Sequence, residues 1–365
     1  MKVSIARTEL LDALSIASKG LSSRTTLPIL SGILFSAQAD ELRLNSTDLE
    51  ISIKTSSKAR VDEAGSAVIP GKLITDIVRN LPESAVTIET NPTGATVSCA
   101  QSSFVVRTLS ADDFPKFPDV VPGEMVSLPT GVFSEVVHQV SRAVSRDETR
   151  PILTGVLVVV EEGQLRMVAT DSYRLCVREV PVEGVLGSLE AVVPGRAIED
   201  VARLGSSSKT VKIGVSENQV VFSFGDTTFI SRRIEGSFPN HKQLVPKEFV
   251  TKLIVGRQEF LEAVKRVSLM AQHSAPLRLK VTTADRILTI SAQTQDVGEA
   301  TEDLEVDIQG EDVEIAFNHA YLTDGISVAD GDKIALEIVS PLKPGVMKHP
   351  EGEDFIYLLM PVRLG

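Results

Sequence analysis

Pro28-Ile29-Leu30-Ser31-Gly32, followed by Leu42-Arg43-Leu44 and Thr47-Asp48, returns without a gap as Pro151-Ile152-Leu153-Thr154-Gly155, Leu165-Arg166-Met167 and Thr170-Asp171, at a constant offset of 123 residues. A second block, Ala67-Val68-Ile69-Pro70-Gly71-Lys72 with Ile74, Asp76 and Arg79, recurs as Ala191-Val192-Val193-Pro194-Gly195-Arg196 with Ile198, Asp200 and Arg203. A weaker third occurrence is Val313-Glu314-Ile315-Ala316-Phe317-Asn318. Repeats of 20 to 50 residues fold only as stacks, whereas a unit of roughly 120 residues buries a core of its own. The 365 residues therefore read as three copies of one domain, placed at 1–124, 125–248 and 249–365.

Each copy follows one plan. A short strand opens it, over Lys2 to Ile5, Met125 to Leu128 and Thr251 to Val255, and a segment of helical period follows. Thr8 to Ser18 sets Leu10, Leu11, Leu14 and Ala17 on one apolar stripe, and Val132 to Val144 does the same with Val132, Phe133, Val136, Val137 and Val140. Alternating stretches come next, Ile33 to Ser36, Glu41 to Leu44 and Asp48 to Ile53, parted by turn formers such as Ala39-Asp40 and Glu162-Gly163. These predict antiparallel strands. The Pro-Gly block then opens a second short helix, Lys72 to Leu81 or Arg196 to Leu204, before further strands that end near Phe114-Pro115 or Phe238-Pro239. The class is α+β, each copy packing two helices on antiparallel sheets whose end strands are free. Copies can join through those edges; three would make an arc, and a closed symmetric object needs a second chain in head-to-tail contact. From the repeat alone, a three-domain binding protein without closure stands level with a ring.

Composition narrows the class. With 42% hydrophobic and 24% charged residues the chain is ordinary for a globular protein. No stretch reaches the 18 or more apolar residues of a membrane span, and the N-terminus lacks an apolar leader core, so a cytoplasmic protein is expected. Cys99 and Cys176 fall at unrelated places in their copies and suit neither a disulfide framework nor a zinc site. The five histidines are scattered without metal spacing, no nucleophile elbow or dinucleotide fingerprint occurs, and Pro70-Gly71-Lys72-Leu73 lacks the glycine spacing and hydroxyl of a phosphate loop. Asp48 and Asp171 share a repeat position, which favours a turn role over a catalytic one. No enzyme activity, metal or cofactor is expected. A nuclease would need clustered carboxylates for its metal.

Charge is distributed unevenly. Lys and Arg number 37 against 49 Asp and Glu, a net charge of −12 that argues against a general nucleic-acid coat. Yet the helical segments and their flanks carry Arg7, Lys19, Lys72, Arg79, Arg142, Arg196, Arg203, Arg257, Lys265 and Arg266, with Arg24, Arg146 and Arg150 in loops beside them. Acidic residues crowd strands and turns instead, as in Glu299-Ala300-Thr301-Glu302-Asp303-Leu304-Glu305. An acidic body with basic helices attracts a phosphate backbone only along those helices. Base stacking is not expected, since aromatic residues are 4% of the chain and tryptophan is absent.

The triple repeat, Arg24-Thr25-Thr26-Leu27-Pro28-Ile29-Leu30, Ala169-Thr170-Asp171-Ser172-Tyr173-Arg174-Leu175 and the ending Leu359-Met360-Pro361-Val362-Arg363-Leu364 together resemble the bacterial DNA polymerase III beta subunit family, the replicative sliding clamps. The resemblance covers the whole chain. It implies a head-to-tail homodimer, six domains closed around double-stranded DNA with helices lining the hole, and a non-catalytic role as processivity factor. DNA contact would then fall to Arg24, Lys72, Arg79, Arg142, Arg146, Arg150, Arg196, Arg203, Lys265 and Arg266. The rival reading is a monomeric three-domain scaffold that binds peptides without encircling DNA.

The resemblance also implies a pocket for short peptides carried by the polymerase III alpha subunit, the clamp loader, other polymerases and repair proteins. Matched by motif, it would use Leu153, Thr170, Ser172, Tyr173, Arg174, Leu175, Pro239, Leu244, Asn318, Tyr321, Leu342, Met360, Pro361, Val362 and Arg363. Leu153, Leu175, Leu244, Val362 and Met360 suit peptide side chains, and Arg174 and Asn318 suit its backbone. Gln243 stands where the family commonly has a basic residue and Ser274 where it often has a bulky aromatic. The implied dimer joint sets the strand around Phe104, with Lys72 and Arg107, against Leu269, Asp296 and Glu299 of the other chain.

Overall fold

A computed structural model describes residues 1–22, 27–91, 93–120, 122–123, 125–183, 187–271, 275–295 and 297–363. Arg24, Ser274 and Asp296 lie outside the described residues. Six α-helices occur among the described residues: α1 (Arg7–Ala17), α2 (Gly71–Asn80), α3 (Thr130–Val140), α4 (Gly195–Leu204), α5 (Arg257–Ser268) and α6 (His319–Val328). They come two to a copy, each after a strand, as the apolar periods predict. No helix is long and apolar enough to cross a membrane.

The described residues fall into two compact units, one of residues 1–133, 187–189 and 196–233, the other of residues 134–183, 190–195 and 234–363. The first holds two antiparallel sheets. A five-stranded sheet runs Arg60–Glu63, Lys2–Ala6, Ala85–Asn91, Gly94–Cys99, Ser102–Arg107. An eight-stranded sheet runs Met125–Pro129, Thr210–Val215, Gln219–Phe224, Thr227–Arg232, Ile51–Lys58, Glu41–Thr47, Gly32–Gln38, Gly65–Pro70. Its central seam pairs Ile51 with Ser231 and Thr55 with Thr227, whose hydroxyls lie 2.9 Å apart. Strands of the first and second copies thus share one sheet, and the free sheet edges expected from the repeat are used to join copies.

The core of this unit forms where the stripe of α1 meets the inward faces of the strands. Leu10, Ala13, Leu14 and Ala17 are buried against Val3, Ile5, Ile33, Phe35, Leu42 and Leu44, with Ile74 and Val78 of α2 completing the cluster. Each fully buried leucine, isoleucine, valine or phenylalanine among them contributes about 1.5–3 kcal/mol. Arg7 serves the backbone instead. Its guanidinium donates to the carbonyls of Val78 and Arg79 at 3.1 and 2.6 Å, satisfying the open end of α2.

The second unit has a nine-stranded sheet, Leu189–Pro194, Gly155–Glu161, Gln164–Thr170, Arg174–Pro181, Phe355–Leu359, Gly345–Lys348, Lys333–Ile338, Thr251–Gly256, Asp307–Gly310, and a four-stranded sheet, Gly298–Glu305, Ile287–Thr294, Leu277–Thr282, Val313–Phe317. Here the seam between copies pairs Arg174 with Leu359 through Arg178 with Phe355. A buried polar group reinforces it: Gln139 of α3 donates to the Val328 carbonyl and to Asp330, and Arg178 pairs with Asp330 at 2.8 Å and Asp354 at 2.5 Å. Cys99 and Cys176 are both free and buried, and burial pushes the Cys176 thiol well above its ordinary pKa.

Two expectations about strand limits need correction. Asp48 to Glu50 is a turn, and the strand starts at Ile51, because the Asp48 carboxylate accepts the N–H groups of Glu50 and Ile51 while Leu49 turns to φ 75°. The later strands stop at Arg107 and Arg232, well short of Phe114 and Phe238. The stretch before Phe114 instead folds into a short 3-10 turn, Ala111–Asp113, whose Asp112 N–H is taken by Ser110.

Candidate functional site

Thr170 to Arg174 folds locally for a reason visible in the residues. Asp171 Oδ1 accepts the N–H groups of Tyr173 and Arg174 at 2.9 and 3.0 Å, and Thr170 Oγ1 donates to the Arg174 carbonyl at 2.7 Å and accepts the Ser172 N–H. Ser172 is thereby held at φ 78°. The first copy builds the same turn with Thr47, Asp48 and Leu49, so the turn role expected of both aspartates is what they perform. The turn leaves Tyr173 well exposed and directs Arg174 inward.

Around the Arg174 guanidinium the second unit converges. Nε donates to Asp171 Oδ2 at 3.0 Å, and Nη1 donates to Asp324 Oδ2 at 2.5 Å and to the Tyr357 hydroxyl at 3.2 Å. Its carbon lies 4.3 Å from the centre of the Tyr321 ring, which stacks on Tyr173 at 6.4 Å and 27°. Burial works against the charge, but Tyr357, Asp324 and Asp171 outweigh it and raise the pKa of Arg174 above its ordinary value. Burial likewise raises the phenols of Tyr357 and Tyr321. Asn318 caps α6, its Oδ1 accepting the N–H groups of Ala320 and Tyr321.

The C-terminal segment is pinned to this group. Met360 N–H donates to the Tyr173 carbonyl at 2.8 Å and Val362 N–H to the Ala316 carbonyl at 2.8 Å. Leu153 sits in the 3-10 turn Pro151–Thr154, which Arg150 ties to the site by donating to Ser172 Oγ. Two apolar members differ in kind from the rest: Leu175, only 1% exposed, and Leu153 are core residues, a floor at most. Phe238 and Val245 pack on the same cluster as Leu175, which leaves their neighbours Pro239 and Leu244 at its exposed edge. Leu342, 71% exposed, Met360, Leu244 and Pro239 are the exposed apolar members of the expected set, and Arg363 is exposed as well. Arg174 spends Nε and Nη1 on the protein, and Asn318 spends its carbonyl oxygen on α6.

Three family descriptions match in succession: the N-terminal domain of the DNA polymerase III beta subunit over residues 1–118, its central domain over 127–240 and its C-terminal domain over 242–363. The chain belongs to the DNA polymerase III beta subunit family. It is 34% identical over 375 residues to the beta sliding clamp of Staphylococcus aureus, covering 100% of this chain and 99% of that one. The sliding clamp of Bacillus subtilis superposes with a TM-score of 0.95 at 30% identity, and the beta sliding clamp of C. crescentus with 0.93 at 32%; each alignment covers 100% of this chain, with 100% and 99% of the other.

The structure divides the basic residues expected to meet DNA. Lys72, Arg142, Arg146 and Lys265 are exposed and carry no ion pair among the described residues. Arg79 pairs with Asp76 at 2.9 Å, and Arg196 and Arg203 each lie 3.9 Å from the buried Asp200, which also receives Lys19 at 3.3 Å. Arg266 is held by both oxygens of Glu302. Arg150, bound to Asp147 and Ser172, belongs beside the Arg174 turn and not on a helix. Arg7 and Arg257, which swelled the apparent recurrence of basic residues, donate to backbone carbonyls at Val78, Arg79 and Gly331.

Two of the end strands of the four sheets bear on the joint expected around Phe104 and Glu299. Ser102–Arg107 ends the five-stranded sheet with Phe104 40% and Val105 77% exposed. Gly298–Glu305 ends the four-stranded sheet and carries Glu299, Glu302, Asp303 and Glu305. Leu269, just after α5, is 70% exposed.

Sequence reasoning missed Asp324 and Tyr357. Asp324 follows Tyr321 by three residues, a spacing that puts both on one helix face. That spacing was the available clue.

Proposed function

We propose that the chain acts as a sliding clamp in DNA replication: two copies close head to tail around duplex DNA and tether polymerases without chemistry of their own. The observation that carries this reading is the full-length match to sliding clamps. A ring held by topology needs only weak, sequence-independent attraction to phosphate, and tight contacts would hinder sliding. That suits a set of basic residues of which some are free and others are half-neutralised by Asp76, Asp200 and Glu302. Tethering raises the effective concentration of a bound polymerase at the primer end, so dissociation no longer ends synthesis.

Three domains, 1–124, 125–248 and 249–365, fit this role, with the edge Ser102–Arg107 of one chain pairing to Gly298–Glu305 of its partner. Lys72 and Arg107 would face Asp296 and Glu299, and Phe104 would meet Leu269. The surface around Tyr173, Tyr321, Leu244, Leu342 and Met360 would receive the peptides of the polymerase III alpha subunit, the clamp loader, other polymerases and repair proteins. The place of action would be the cytoplasm.

Retention on DNA tests the reading. The loaded protein should remain on nicked circular DNA through gel filtration and leave once the circle is cut, with a particle mass of two chains. Reversing Lys72, Arg142, Arg146 and Lys265 together should lower loading and flatten its salt dependence. Equal loss from circular and linear DNA, or a monomer mass, would favour the non-encircling scaffold.

A further inference from the structure

The chain has three tyrosines and no tryptophan, and all three belong to one cluster around the Arg174 guanidinium, two by direct contact and one through its neighbour. Tyr357 reaches Arg174 through its hydroxyl, Tyr321 lies against its face, and Tyr173 stacks on Tyr321. Two carboxylates hold the guanidinium in place, and they are not equivalent. Asp171 also builds the turn, through the N–H groups of Tyr173 and Arg174, so its removal would disturb the backbone. The carboxylate of Asp324 has one partner among the described residues, Arg174. Without it, α6 keeps its cap at Asn318 and its buried Leu322 and Ile326. What it would lose is the charged tie between the helix that carries Tyr321 and the turn that carries Tyr173.

We propose that Asp324 is a positioning residue of the peptide site, an inference that rests on the peptide-receiving role given above. Its carboxylate holds Arg174 against Tyr321, so that Tyr321 and Tyr173 stand as a fixed aromatic wall before any peptide arrives. Arg174 is then the keystone of the wall, and the peptide meets tyrosine rings. A wall ordered in advance spares the complex the entropy of ordering those side chains on binding. Loss of the carboxylate should weaken peptide binding about tenfold, through faster dissociation.

Because the protein lacks tryptophan, tyrosine emission reports on this cluster alone. The experiment uses the full chain as wild type, Asp324→Ala, Asp324→Asn and Asp324→Glu, with a labelled clamp-binding peptide derived from a polymerase. Peptide affinity, tyrosine anisotropy, thermal midpoint and particle mass are measured on each. The expected result is weaker binding and lower tyrosine anisotropy in the Ala and Asn variants, with midpoint and mass near wild type, and substantial recovery in the Glu variant. Unchanged affinity in the Ala and Asn variants beside a wild type that binds would overturn the positioning role. So would a loss of affinity that follows the thermal midpoint while tyrosine anisotropy stays fixed, since that marks a merely structural residue. A wild type that binds no such peptide would sink the peptide-site reading itself, and this inference with it.

Discussion

At the scale of single residues, Asp48 and Asp171 allow one turn to be weighed in two settings. Each accepts two backbone N–H groups across a residue of positive φ, but only Asp171 also holds a largely buried arginine. Removing a side chain that accepts such N–H groups costs about 1 kcal/mol, and stripping one partner from a buried ion pair costs about 3–5 kcal/mol. Asp48→Ala should therefore destabilise by about 1 kcal/mol and Asp171→Ala by about 3 kcal/mol or more. Urea unfolding of the two variants measures the difference, and equal values would mean that Arg174 is secured by Asp324 and Tyr357 without Asp171. The turn itself was legible, since the two aspartates share a repeat position. The Arg174 cluster was not, because Arg174 and Asp324 are 150 residues apart and no local periodicity joins them.

At the scale of elements, apolar period read α1 and α3 correctly, since their buried faces repeat every three or four residues. It overran the strand ends, where turn hydrogen bonds and not side-chain alternation decide the boundary. Charge was harder to read. Arg7 and Arg257 recur at the start of a helix for the sake of neighbouring carbonyls, a demand that composition does not distinguish from attraction to phosphate. The two open edges carry the prediction proper to this scale. Burying an aromatic contributes more than an exposed ion pair, which is typically worth about 0–1 kcal/mol. Phe104→Ala should accordingly weaken the dimer more than Glu299→Ala. Sedimentation at low concentration ranks the two, and the opposite order would count against an edge-to-edge joint through Phe104.

At the scale of the whole molecule, pH should bound stability on both sides. The phenols of Tyr357 and Tyr321 are raised chiefly by burial, so above the ordinary value of 10.0 the unfolded chain loses protons that the folded chain retains, and stability falls as pH rises. His241 is lowered, first by burial and then by Arg166 and Lys242; below its ordinary 6.5 the unfolded chain gains a proton that the folded chain resists, and stability falls as pH drops. Glu179, lowered chiefly by its hydrogen bond from Arg166, adds to that loss below the ordinary 4.5. Cys176, also raised by burial, begins the same loss around its ordinary 9.0, so the thermal midpoint should be flat between about pH 7 and 8.5 and decline outside it. A midpoint still level at about pH 11 would contradict the burial of the tyrosines. The paired turns also bear on descent. Ala39 and Glu162 occupy one repeat position at φ 54° and 51°, and Leu49 and Ser172 another at 75° and 78°. Since the copies parted, the side chains at these positions have drifted to unrelated chemistry while the backbone has kept its shape. At 49 and 172 the aspartate alongside holds the bend without the glycine that positive φ favours, so a chain deprived of either aspartate should gain from glycine at the next position.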